Sequence, residues 1–173
     1  QGDIVWLAEG TYAEEVYTSA TYGRFRGCVK AGVTLIASGS REKTIIMGAS
    51  DTAQTDAGQY GCGPNAVSCL YLMAADSVVR GVTLTGGRTC DAKTEVANKS
   101  NGGACRNGGW LVDCLITNNV ACRGGALWNV KVIGCRFAGN RAVSTGADNP
   151  SSAATPAAAS TKGVKRIEPL VLS

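Results

Sequence analysis

Residues 102–119, GGACRNGGWLVDCLITNN, and residues 124–140, GGALWNVKVIGCRFAGN, are two copies of one pattern. Gly102 falls on Gly124 at a spacing of 22. Cys114 and Cys135, Ile116 and Phe137, and Asn119 and Asn140 are each 21 apart, and one residue beside the Gly-Gly turn absorbs the difference. The segment 77–87, SVVRGVTLTGG, keeps the same rhythm, with Val82 on Cys114 and Leu84 on Ile116. That step is 32, because residues 88–101 form a polar insertion. Segments 32–39 (GVTLIASG) and 44–48 (TIIMG) read as further copies, followed by a second insertion at 49–65. A repeat of this length is one structural unit that buries its apolar face only by stacking on its neighbours.

Within each unit the period is two. Val112, Cys114 and Ile116 alternate with Asp113, Leu115 and Thr117, and Ile133, Cys135 and Phe137 alternate with Gly134, Arg136 and Ala138. Short alternating runs rich in Val, Ile and Thr, divided by Gly and Asn, are strands. No two-residue turn signal separates the copies, so a hairpin meander is disfavoured. The expected fold is all-β: a short right-handed parallel β-helix of roughly five coils over residues 1–143, with polar loop insertions and an extended C-terminal tail, each coil lying about 4.8 Å above the last. Equivalent residues should then stack as a core ladder of Cys114 on Cys135, Ile116 on Phe137 and Asn119 on Asn140, with the amides satisfying backbone groups at a corner. The glycines at 102–103 and 124–125 should permit corner conformations.

Composition narrows the chemistry. The 173 residues contain no His, which removes Ser-His-Asp and Cys-His catalysis and His-containing zinc sites together. Lys+Arg number 17 against 13 Asp+Glu, a net charge of +4 with no dense basic run, so no nucleic-acid partner is expected. No apolar run approaches the roughly 18–20 residues of a membrane-spanning helix, so no transmembrane segment is expected. Eight cysteines lie at 28, 62, 69, 90, 105, 114, 122 and 135 without a C-x-x-C pair, which is no zinc or redox spacing. An even, dispersed set suits an oxidising, extracytoplasmic compartment. Cys90 and Cys122 each follow an equivalent core position by six residues and are the first disulfide candidates. Cys28, Cys62, Cys69 and Cys105 lie near insertions and could staple them, with three connectivities open. Asp51, Asp56 and Asp91 sit in the insertions without a calcium-loop pattern, so neither metal nor cofactor is expected.

The pair GGAL (124–127) and FAGN (137–140) resembles the G-G-A-[ILV] and F-x-x-N repeats of the chlamydial polymorphic outer-membrane proteins, which recur in many large secreted bacterial β-helix proteins. GGAC (102–105) with ITNN (116–119) is a looser copy, and GDIVWLAEGTY (2–12) is similar to the first coil of secreted bacterial parallel β-helix proteins. The resemblance implies an exported surface or extracellular protein, often adhesive, and supplies no catalytic site. Residues 1–10 lack a charged segment followed by an apolar one, so an exported chain already processed, or a piece of a longer polypeptide, is expected.

Beyond the repeats, residues 144–163 are an Ala/Ser/Pro-rich linker, and residues 164–173 (VKRIEPLVLS) form a strand-like segment carrying Ile167, Leu170, Val171 and Leu172. A short stack with such a segment points to assembly, by end-to-end stacking or by addition of that strand to a neighbour. The function expected is an extracellular structural or adhesive protein, self-assembling into a filament or layer, whose partner is another copy of itself or an extracellular glycan. The competing reading is a carbohydrate-active β-helix, a polysaccharide lyase or a carbohydrate-binding fragment. Trp110 and Trp128 are its candidate sugar contacts. Acids are sparse along the repeats: Asp113 has Gly134 and Gly81 as equivalents, and Asp76 stands apart. A paired-carboxylate site is therefore not expected.

Overall fold

A computed structural model describes residues 2–54, 58, 60–89 and 99–143. The chain is all-β, and among the described residues no α-helix occurs. It passes through three sheets in turn four times, and a fifth pass adds a strand to the first two of them. The first pass supplies β1 (Ile4–Leu7), β2 (Gly10–Tyr12), β3 (Tyr17–Ser19) and β4 (Gly23–Val29). The second supplies β5 (Thr34–Ala37), β6 (Thr44–Met47) and β7 (Ser68–Leu72), and the third β8 (Val78–Arg80), β9 (Thr83–Thr85) and β10 (Cys105–Arg106). The fourth supplies β11 (Trp110–Val112), β12 (Leu115–Thr117), β13 (Val120–Ala121) and β14 (Leu127–Trp128). The fifth ends with β15 (Lys131–Ile133), β16 (Arg136–Ala138) and β17 (Arg141–Ala142).

The first sheet has the order β1-β5-β8-β11-β15, the second β2-β6-β9-β12-β16, the third β3-β4-β7-β10-β14, and β13 pairs with β17. Every pairing is parallel except β3 with β4, an antiparallel hairpin turning through residues 20–22. The sequence reading contained no hairpin. It arises where Gly23, at φ 81°, follows a turn closed by the Tyr22 N–H donating to Ser19 Oγ.

Register turns the repeat into a core. In the first sheet Val5, Leu35, Val79, Leu111 and Val132 stack. In the second, Tyr12, Ile46, Leu84, Ile116 and Phe137 do the same. In the third, Gly27, Leu70, Cys105 and Leu127 complete the interior. The middle members are buried in one cluster, and Phe137 packs half-buried against it.

One detail departs from simple alternation. Leu111 and Val132, not Val112 and Ile133, point inward, whereas Cys114 and Ile116 are buried in the following strand. The run is broken at Asp113, whose φ of 52° turns the chain between two sheets. Its equivalents Gly81 and Gly134 have φ 67° and 64°, and a Cβ on Gly134 would clash with the Asp113 carboxylate. The next corner repeats the device with Gly86, Asn118 and Gly139. Asn and Asp tolerate this left-handed conformation better than other residues that carry a Cβ.

Asn119 and Asn140 are buried and bonded in a repeating pattern. Asn140 Oδ1 accepts from the Asn119 backbone N–H at 3.0 Å, and its Nδ2 donates to Ile116 O at 2.8 Å. Asn119 does the same one pass lower: its Oδ1 accepts from Gly87 N–H at 2.8 Å and its Nδ2 donates to Leu84 O at 3.0 Å. Asn119 Nδ2 also donates to Asn140 Oδ1 at 2.9 Å, which links the two amides. Asn119→Ala orphans a buried N–H and a buried carbonyl and should destabilise the fold by about 2–4 kcal/mol. The urea unfolding midpoint, compared with that of an exposed control such as Lys30→Ala, checks this.

Candidate functional site

The two ends of the stack differ in kind. At the first-pass end the free edges of β1 and β2 pair with no other described strand. Strand β1 is apolar yet exposed, with Ile4 at 56% and Trp6 at 63% of their free surface. Between the first and second passes lies a cavity of about 690 Å³. Val5, Leu7 and Tyr12 line it on one side, and Val29, Leu35 and Ile46 on the other. Gly27 of the third-sheet ladder also lines it, with the Leu70 side chain packed close against its Cα face. Residues 2–22 carry Asp3, Glu9, Glu14 and Glu15, all exposed, and no cation. Strand β4 of the same pass adds Arg24 and Arg26, the latter lining the cavity and donating to the Glu14 and Glu15 carbonyls.

The opposite end, from the close of the fourth pass through the fifth, presents the opposite charge. Residues 123–143 carry Arg123, Lys131, Arg136 and Arg141 and no anion. Arg123 and Arg136 are exposed. Lys131 lies 4.8 Å above the Trp110 ring, and Arg141 4.2 Å above Tyr60. The outer edges of β15, β16 and β14 pair with no other described strand. The molecule is thus a stack with an acidic, apolar end and a basic end.

The two tryptophans separate. Trp110 opens β11, and its ring is covered by Lys131. Trp128 closes β14, half-buried, beside Asn129 at φ 53°. Asp113 is exposed at its corner, where Arg80 reaches its carboxylate at 3.4 Å. Asp51 anchors the 49–65 insertion: its carboxylate accepts from Asn65 N–H at 2.9 Å and Ala53 N–H at 3.0 Å. Burial works against its charge, but those bonds hold its pKa below the usual value. Among the described residues no cluster of three or more His, Cys, Asp or Glu could hold a metal ion. Nor is any described helix long and apolar enough to cross a membrane.

The cysteines require a correction. Cys28, Cys69, Cys105, Cys114 and Cys135 are thiols and do not staple the insertions. Cys105 occupies the interior ladder between Leu70 and Leu127, and Cys69 is buried with its Sγ 3.3 Å from Thr85 O. Cys114 and Cys135 lie one above the other, just ahead of the register Leu115–Arg136, with the Cys114 thiol bonded to Cys135. These thiols serve as small apolar core groups. Cys62 is buried against Val120 and Val143, and Cys122 is buried where the chain leaves β13. Cys90 lies outside the described residues, as do Ile167, Leu170, Val171 and Leu172 with the whole of 144–173.

No protein-family model matches the chain, and neither a curated protein nor a solved structure matches it significantly. What is established is an all-β protein of stacked parallel sheets.

Burial pushes the Cys69 thiol from 9.0 up to about 12. Burial raises Cys105 too, and Cys114 is raised by its bond to Cys135 and then by burial. The native state therefore keeps protons that the unfolded chain sheds first. Stability should be fully present below pH 9 and fall as pH rises toward 12. Urea melts between these limits check it, and Cys69→Ala should flatten part of the decline. Exposed Cys28 should be alkylated in the native protein, whereas Cys69 and Cys105 should wait for unfolding. Peptide mass mapping reads the order.

Proposed function

We propose that the chain is a short right-handed parallel β-helix acting as a structural or adhesive scaffold, and that copies of it stack head to tail. The reading is non-catalytic, extracellular or surface-located, and its partner is a second copy of this chain.

The observation that carries it is the pairing of open ends with opposite charge. Strands β1 and β2 begin the first and second sheets, and β15 and β16 end those same sheets. A second copy that continues the ladders would bring its fifth pass onto the first pass of its neighbour. That contact would cover Ile4 and Trp6, close the 690 Å³ cavity, and set Arg123 and Arg136 against Glu9, Glu14 and Glu15. Unpaired strand edges template further strands, and a heterologous contact of this kind propagates rather than closes. The repeats that resemble those of secreted surface proteins support the location.

The test is solution mass together with negative-stain electron microscopy of the full chain. Linear particles are expected at low salt, dissociating when ionic strength is raised to about 1 M, where the screening length is about 3 Å. Glu9→Lys with Glu14→Lys and Glu15→Lys should abolish them. Mixing that variant with one carrying Arg123→Glu and Arg136→Glu, which should also fail to assemble alone, should restore linear particles in which the two variants alternate. A monomer at low salt, or assembly indifferent to charge reversal, overturns the reading. Assembly lost on deletion of 164–173 but unaffected by charge reversal would assign it to strand addition instead.

A further inference from the structure

Along the third sheet, from the β3–β4 turn to the last strand β14, Trp128, Tyr22 and Tyr71 frame a recess of about 180 Å³. Its remaining walls are Asn101, Arg106 and the left-handed corner residues Asn107 and Asn129. That volume is smaller than the roughly 300–1,000 Å³ clefts that hold drug-sized ligands, and it suits one small polar ring.

We infer that this recess is a binding site for a single acidic sugar residue, a uronate. The half-buried Trp128 can offer its apolar face to the C–H side of a pyranose ring, whereas the Tyr71 ring is already covered by Tyr22, Phe25 and Arg106 and serves as the floor. Planar amides around them match the paired hydroxyls of such a ring. The recess is built rather than incidental. Arg106, only 3% exposed, donates to Asn101 O at 2.9 Å and to Tyr22 O, and its guanidinium lies 6.0 Å above the Tyr71 ring. Tyr22 and Tyr71 rings pack at 4.6 Å, and Asn107 Nδ2 is fixed by Leu72 O at 3.2 Å. Asn101 is 5% exposed, lines the recess, and its Oδ1 has no hydrogen-bond partner. A buried amide oxygen without a donor is costly unless something completes it, and a sugar hydroxyl can. Among the described residues the lining holds one cation, Arg106, and no carboxylate. That balance favours a carboxylate-bearing sugar over a neutral or an amino sugar.

Saturation-transfer NMR of the full chain with glucuronate, glucose and glucosamine tests this. Glucuronate should bind in the millimolar range expected of one ring, more tightly than glucose, with glucosamine weakest. Trp128→Ala should weaken glucuronate by about tenfold or more while the thermal unfolding midpoint shows a folded protein. Asn101→Leu should also weaken it, whereas Trp110→Ala, on another sheet, should not. No binding by any of the three sugars, glucosamine binding best, or glucuronate binding unchanged in Trp128→Ala overturns the proposal and leaves the recess to water. One copy supplies the whole lining, so the test does not presuppose that copies stack.

Discussion

A parallel ladder survives only while each pass returns to the same register, so everything in this chain answers to the length of the path around the three sheets. The sequence step between passes varies, but the paired positions do not. Thr83 meets Leu115 and Leu115 meets Arg136, although the first step is 32 residues and the second 21. The extra residues of the longer step leave between β9 and β10, where no ladder bond is interrupted. Two stacks of left-handed corner residues hold the bend angle, and the Asn119–Asn140 amides tie each pass to the one before. Those amides contribute where hydrogen bonds matter most, at buried backbone groups that no strand partner reaches.

Much of this was legible in the repeat. The offsets of 21 and 22 are the register itself, and the pairing of Ile116 with Phe137 and Leu84 follows from aligning three segments. The corner within residues 111–116 was not read, because alternation was carried straight across it. The signal was nevertheless present: one position holding Gly81, Asp113 and Gly134 is the mark of a backbone that needs positive φ. The cysteines misled for a different reason. An even count suggests bridges, yet Cys69 and Cys105 fall on inward positions, where a thiol packs as a small apolar side chain. The β3–β4 hairpin leaves no repeat to align, since it occurs once.

The candidate site was less visible because it depends on sums taken pass by pass. A net charge of +4 over the whole chain conceals four anions and no cation within residues 2–22, and four cations and no anion within residues 123–143. The recess beside Trp128 was half visible: the tryptophan stood out, but its companions come from residues as distant as Tyr22 and Asn129. Only register brings them to one place, and composition carries no trace of it.

The reversed strand β3 gives the acidic end a shape as well as a charge. Three sheets meeting at an end would offer three near-equivalent rotational settings to anything docking along the axis. Here two sheets end in strands running with the stack and the third ends in one running against it, so the settings are no longer equivalent. The end works as a keyed socket. A partner that extends the two parallel edges must leave the third uncontinued or match an antiparallel edge there, and that fixes its angular phase. In a chain of such joints torsional order would be inherited from one hairpin turn, with no residue devoted to measuring the angle.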